Sequence, residues 1–299
     1  MIKNQVFPRS FTMPKVMANF DIIGDVHGYP SLLIELLQIL GYEENKGTFV
    51  HPLGRKIIFV GDLINRGPDT IEVLKIVQKL HSSEQAFAVL GNHEFRLIQQ
   101  FIKDPTLVEP AIKPFIPWIQ SLPLFLEFHE LRVVHAAWHF ASITKLKDQR
   151  VGDENFIRST FDSHSDLGQA IDIILRGITV PIPNKLKYLD RFGIKRKKAR
   201  IRWWEGEKNI INGSNFFPKS KKLLTESFAI NSQKIGQEYL HNDKPIFLGH
   251  YCLPADEPKV INNVVCVDGC VTCDQVLWAY RFTSGEEISD VNLVQTSKA

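Results

Sequence analysis

Five places in the chain set metal-ligating or phosphate-binding residues directly after a short apolar run. They are Gly24-Asp25-Val26-His27-Gly28, Gly61-Asp62-Leu63-Ile64-Asn65-Arg66-Gly67, Gly91-Asn92-His93-Glu94, His135 after Leu131 to Val134, and Gly249-His250 after Ile246 to Leu248. Each alone reads as ordinary turn chemistry, since Gly-Asp is a common turn pair and a histidine after a strand is usually a hydrogen-bonded loop residue. Turn chemistry does not account for five together. Asp, Asn and His offer hard oxygen and borderline nitrogen ligands to divalent ions, and the flanking glycines let the backbone turn tightly and approach an ion. Two such ions about 3.5 to 4 Å apart clamp a phosphate and bring the pKa of a shared water towards neutrality, so the chemistry indicated is hydrolysis at phosphorus. Arg66 fits that chemistry, because one guanidinium can hold two phosphate oxygens through parallel hydrogen bonds.

These residues need elements that bring them to one place. Phe20 to Ile23, Lys56 to Val60 and Ala86 to Leu90 read as buried strands. The 3.6-residue spacing predicts helices over Ser31 to Leu40, Thr70 to Leu80 and Phe95 to Phe101. Strands alternating with helices predict an α/β sheet whose chemistry sits in the loops after the strands. Leu124 to Phe128 and Leu131 to Val134 are close enough to form a hairpin, and Ile246 to Leu248, Val264 to Val267 and Val276 to Phe282 predict β-structure completing a second sheet. Residues 1–17 read as an N-terminal extension and 18–299 as a single domain. Within it, 151–240 is irregular, with a basic stretch at Lys195 to Arg202, and is expected to be an inserted cap or substrate region.

Composition sets the class. With 299 residues, 44% hydrophobic and 23% charged, the chain is an ordinary folded protein, and its net charge of +3 neither requires nor excludes an anionic partner. Four cysteines, Cys252, Cys266, Cys270 and Cys273, are too few for a disulfide framework in so long a chain. They are expected to be small apolar fillers in a reducing compartment rather than a zinc site. No segment has the length or apolarity of a signal peptide or membrane span, so the expected location is cytoplasmic, with no membrane partner.

The five motifs, in this order, resemble the calcineurin-like metallophosphoesterases, specifically the phosphoprotein-phosphatase branch, over Phe20 to about Phe282. The resemblance implies two packed mixed β-sheets flanked by helices, with two metals bound by loops at the sheet edges. It also implies that Asp25 and His27 bind the first metal, that Asp62 bridges, and that Asn92, His135 and His250 bind the second. Arg66 would then hold phosphate and His93 would protonate the leaving oxygen, with the attack coming from metal-bound hydroxide. Such ligands accept manganese, the expected occupant, or iron, cobalt, nickel or zinc.

Asn65 departs from the pattern. In protein phosphatases an aspartate usually stands there beside the acid histidine, where its charge stabilises the imidazolium; a neutral amide orients the ring without that help. A phosphoanhydride, whose leaving group is already a stable anion, depends less on the proton than an alkyl phosphate does. GDLINRGPDTIEVLKIV, the PWIQSLPLFLEF stretch leading into VVHAAW, and VCVDGCVTCDQVLWAYRF also resemble the symmetrical diadenosine tetraphosphatases. By that resemblance Arg200 and Arg202 would hold a polyphosphate chain and Trp203 or Trp204 would stack on a base. Ala137 and Tyr251 stand where that pattern usually has glycine and threonine. The leading expectation is hydrolysis of dinucleoside polyphosphates, with serine/threonine phosphoprotein dephosphorylation as the alternative. A non-catalytic nucleic-acid binder using the basic stretch is disfavoured, because no strand-end ligand is missing. The sequence leaves the oligomeric state open.

Overall fold

A computed structural model describes residues 19–181, 188–189, 195–204, 210–212, 216–217, 227–229, 239 and 243–297. The expected extension at 1–17 lies outside the described residues, as does much of 205–242. Two five-stranded sheets form the frame. The first contains β1 (Phe20–Ile23), β2 (Lys56–Phe59), β3 (Ala86–Ala88), β9 (Trp278–Phe282) and β10 (Leu293–Gln295), in the order β10-β9-β1-β2-β3. The second contains β4 (Phe125–Glu127), β5 (Arg132–Val134), β6 (Ile246–Leu248), β7 (Val260–Ile261) and β8 (Val264–Cys266), in the order β7-β8-β6-β5-β4. Both are mixed: β1, β2 and β3 run parallel with β9 antiparallel beside β1, and β5, β6 and β8 run parallel with antiparallel edges.

Period-two alternation explains why the sheets stack. Phe20, Ile22, Ile58, Val133, Phe247, Val265, Tyr280 and Phe282 form one buried cluster between the sheets. Their strand neighbours Ile23, Ile57, Phe59, Val134, Ile246, Leu248 and Cys266 face the helices in the other cluster. Rings cross the sheet interface, with Phe20 to Phe128 at 5.0 Å and Phe247 to Tyr280 at 5.2 Å between centroids. Helices α1 (Pro30–Ile39), α2 (Thr70–Ser82) and α3 (Asn92–Lys103) follow the first three strands and bury Leu33, Leu36, Val73, Leu74, Val77 and Ile98. A third, small sheet joins Thr179–Pro181, Lys198–Ile201 and Phe216–Phe217. Among the described residues no helix is long and apolar enough to cross a membrane.

Two expectations change. Val276 to Phe282 does not complete the second sheet; its strand, β9, pairs with β1 in the first. Side chains on the outer face of that pair explain the choice. Asp21 in β1 is fully buried and receives Arg55 at 3.1 Å, Arg281 of β9 at 3.2 Å and the Tyr42 hydroxyl at 3.0 Å. The same Arg55 also donates 2.8 Å bonds to the carbonyls of Phe20 and Phe282, so the pairing is tied down by charge as well as by the ladder. The third helix begins at Asn92 rather than near Phe95, because the Glu94 side chain accepts from Gly91 N at 2.9 Å and caps the turn. Asn92, His93 and Glu94 are therefore the first helical turn. A short hairpin, Glu43–Asn45 with Thr48–Val50, turns through Lys46-Gly47.

A buried carboxylate that loses its guanidinium partner is costly. Arg55→Met is expected to lower stability by about 3 kcal/mol in urea unfolding with little change in the slope. A loss under about 1 kcal/mol would show that Arg281 and Tyr42 alone satisfy Asp21.

Candidate active site

The parallel strands of both sheets end at one edge of the sandwich, and each of the five motifs leaves a strand there. The crowding demands glycine. A Cβ at Gly61, whose φ is +100°, would lie 2.4 Å from Gly91 N, and one at Gly249 would lie 2.0 Å from the Asp25 carboxylate. Several side chains are presented from left-handed backbone: His27 at φ 46°, Asp62 at 50°, Asn65 at 69°, Arg66 at 72° and His250 at 68°. Such conformations cost free energy and persist where the surroundings enforce them.

Asp62 is the centre of the arrangement. One carboxylate oxygen lies 3.6 Å from His27 Nε2 and 3.9 Å from His93 Nε2, and the other lies 3.5 Å from His135 Nε2. Asn92 Oδ1 is 3.3 Å from His135 Nε2. The far ring nitrogens of His27 and His135 are set against the carbonyls of Ile64 (3.1 Å) and Val60 (2.8 Å), which fixes the ring orientations. Asp25 accepts from His250 N at 3.2 Å and stands 4.0 Å from His27 Nε2. Ligand atoms of His27, Asp62 and His93 lie within 4.8 Å of one another, as do those of Asp62, His135 and His250. The two groups have Asp62 in common.

The electrostatics are those of a cation site. Burial, then Asp268 and Asp62, push the Asp25 carboxyl well above its usual range. Burial would raise Asp62 too, yet the His135, His27 and His93 imidazoles hold it well below. Burial pushes His27 and His250 down and takes His93 to about 4, while Asp62 outweighs burial at His135 and holds it up. His250 Nε2 is buried without a hydrogen-bond partner. Clustered buried carboxylates, neutral imidazoles and an orphaned ring nitrogen fit divalent cations.

Glu94 was given no role by the sequence, but it holds this constellation in place. It accepts from the backbone N–H groups of Asp62 (2.9 Å), Leu63 (2.8 Å), Ile64 (3.2 Å) and Gly91 (2.9 Å). Burial and Asp62 push its carboxyl up to about 7. Asp268 was also missed, though Val267-Asp268-Gly269 repeats the strand-end pattern; it accepts from the amides of Cys252 and Cys270.

Asp25, His27, Asp62, Arg66, Asn92, His250 and Asp268 line a cavity of about 480 Å³ together with Arg176, Lys195, Arg196, Lys197, Lys198 and Arg200. Asn65 stands beside the His93 ring, its amide nitrogen 2.9 Å from Nδ1. Arg202 is a correction: it is 1% exposed, pairs with Glu257 at 3.0 Å and does not line the cavity. In Lys198–Ile201 alternation buries Ala199 and Ile201 and leaves Arg200 to the cavity, but the strand ends at Ile201, so Arg202 escapes the alternation and turns in to Glu257. Trp203 donates to the Ala136 carbonyl at 3.0 Å and Trp204 packs on the buried Tyr251 ring at 4.6 Å. Both are anchors rather than base platforms. Tyr251 donates to the Ile201 carbonyl at 3.1 Å, which ties the small sheet to the His250 loop. The cysteines are not four unbonded fillers either: Cys252 and Cys270 form a disulfide and Cys273 is exposed, while Cys266 is buried as expected.

The fold and site define a class of metal-dependent phosphate-ester hydrolase, and comparison with known proteins agrees. Residues 18–268 match the family model for calcineurin-like phosphoesterases, and the chain belongs to that family of dinuclear-metal hydrolases acting on phosphoesters. It is 31% identical over 273 residues, 90% of each chain, to the asymmetrical bis(5′-nucleosyl)-tetraphosphatase PrpE of Oceanobacillus iheyensis. A second protein of that name, from Halalkalibacterium halodurans, is 40% identical over 103 residues, 34% of this chain and 42% of its own. The cold-active protein-tyrosine phosphatase of a psychrophile Shewanella species is a structural neighbour at 17% identity and a TM-score of 0.49, with 93% of this chain and 83% of its own covered. The names of these two tetraphosphatases read asymmetrical, whereas the motif resemblance was to the symmetrical enzymes.

Glu94→Gln would set an amide NH2 against backbone donors. It is expected to weaken metal affinity about 10- to 100-fold in a metal titration. Unchanged affinity would remove Glu94 from the positioning of Asp62.

Proposed function

We propose that this hydrolase cleaves the phosphoanhydride chain of dinucleoside polyphosphates such as diadenosine tetraphosphate. The observation that carries the reading is the composition of the 480 Å³ cavity: a floor of carboxylates and imidazoles faced by Arg66, Arg176, Lys195, Arg196, Lys197, Lys198 and Arg200. A single phosphate monoester does not need so many cations, whereas a chain of phosphates does. The concentration of basic residues is local, since the whole chain carries only +3. The names of the two tetraphosphatases support the same substrate class.

In this reading Asp25 and His27 would hold one metal, Asn92, His135 and His250 would hold the other, and Asp62 would serve both, with manganese the expected occupant. Bound there, the cations supply Lewis-acid polarisation of the phosphoryl group and an activated water. Arg66 holds and orients the non-bridging oxygens of the phosphoryl group under attack, and Arg200, set over the Phe217 and Tyr251 rings at 5.9 and 5.5 Å, holds the chain beyond it. His93 delivers a proton to the leaving oxygen, with Asn65 orienting its ring. Burial lowers the His93 pKa to about 4, so at pH 7 only a small imidazolium fraction is there to donate, which suits a leaving phosphate that needs little protonation. Residues 151–240 act as the substrate region, since Arg176 and Lys195 to Arg200 come from it.

Hydrolysis of diadenosine tetraphosphate, a phosphoserine peptide and para-nitrophenyl phosphate with manganese tests the assignment, with Arg200→Ala as a variant. Preference for the dinucleotide, with KM raised about tenfold in the variant, is expected. Preference for the peptide would overturn the assignment in favour of a phosphoprotein phosphatase. Two identical nucleoside diphosphates would mark symmetrical cleavage and unequal products asymmetrical cleavage. Asn65→Asp is expected to raise the His93 pKa and to help the phosphoserine peptide more than the anhydride; equal effects would sink the leaving-group argument.

A further inference from the structure

A second cavity, of about 120 Å³, lies beside the first and shares Asn92 and Arg176 with it. Its walls come from the first two turns of α3, the turn Thr160 to Ser163, and the helix Asp166–Arg176. Phe161, 43% exposed, offers an aromatic surface to it. Gln99 and Asp172 add an amide and a carboxylate, the amide fixed by a 3.0 Å bond from Nε2 to Thr160 Oγ1 and the carboxylate by a 2.8 Å bond from Arg176. Arg176 therefore has one partner at the second cavity while it lines the basic wall of the first.

A phosphate held between Asn92 and Arg176 stands at the boundary of the two cavities, so a group attached to it on that side enters the second. A stacking ring with neighbouring hydrogen-bonding edges is how proteins commonly hold a nucleobase, because every base has a π-face and a polar edge. We propose that the second cavity is the subsite for one nucleobase of the substrate, with Phe161 as the stacking surface, Gln99 and Asp172 meeting the base edge, and Arg176 holding the phosphate at the boundary. The subsite rests on the reading of the reaction given above. It gives the enzyme a way to tell a dinucleotide from a base-free polyphosphate, which the cation wall alone does not.

The test is calorimetric titration of the manganese-loaded full-length protein with adenosine 5′-monophosphate and with inorganic phosphate, for wild type, Phe161→Ala and Phe161→Trp. The nucleotide should bind wild type more tightly than phosphate does. It should lose about tenfold in affinity in Phe161→Ala and regain it in Phe161→Trp, with phosphate unchanged in all three. Nucleotide binding no better than phosphate in wild type, or insensitive to Phe161, or lost together with phosphate, would overturn the subsite. Turnover of diadenosine tetraphosphate by the same preparations judges the reaction separately: turnover without Phe161-dependent binding removes only the subsite, and Phe161-dependent binding without turnover removes only the reaction.

Discussion

The Asp62 carboxylate imposes the constraint from which the rest of the site follows. It is buried, carried on backbone at φ 50°, and surrounded by three imidazoles from three different segments of the chain. A carboxylate cannot stay ionised in such a place without cationic or hydrogen-bonded partners. His27 arrives from the end of β1, His93 from the start of α3 and His135 from the end of β5 in the other sheet. Bringing them within 4 Å of one carboxylate requires both sheets to finish at the same edge, and that is the role of the aromatic contacts between them.

Support for that centre comes from groups packed around the ligand-bearing loops. Glu94 gathers four backbone N–H groups around the Asp62 turn, so the loop carrying Asp62, Asn65 and Arg66 is held by one buried carboxylate. Glycines at 61 and 249 let neighbouring turns approach to distances no side chain permits. The Cys252–Cys270 disulfide and the two amides donated to Asp268 tie the His250 loop to the loop after β8. The same cavity is lined by Arg176, Lys195, Arg196, Lys197, Lys198 and Arg200, so acidic and imidazole groups share it with a cluster of positive charge.

Much of this was legible in the sequence because the site is local at each strand end. Asp25, His27, Asp62, Asn92, His135 and His250 follow apolar runs, and strand ends can be found from periodicity. The pairing of β9 with β1 was not legible, since it depends on Asp21 and Arg55 meeting Arg281 across 260 residues of chain. Arg202 looked like a twin of Arg200 because period two sets residues two apart on one face, yet the strand ends at Ile201 and Glu257, which receives Arg202, lies 55 positions away. Trp203 and Trp204 looked like stacking platforms because an aromatic beside a basic run reads alike whether it faces a ligand or the core. Arg176 carried no signal, as an arginine in the last turn of a helix is ordinary.

The measurement that bears most directly on this account is the metal content of the purified, manganese-equilibrated protein by mass spectrometry, in wild type, Asp62→Asn and His250→Ala. A shared carboxylate predicts two ions per chain in wild type, one in His250→Ala, and loss of both or nearly both in Asp62→Asn. Two ions retained in Asp62→Asn, or no more than one in wild type, would contradict a site organised around Asp62.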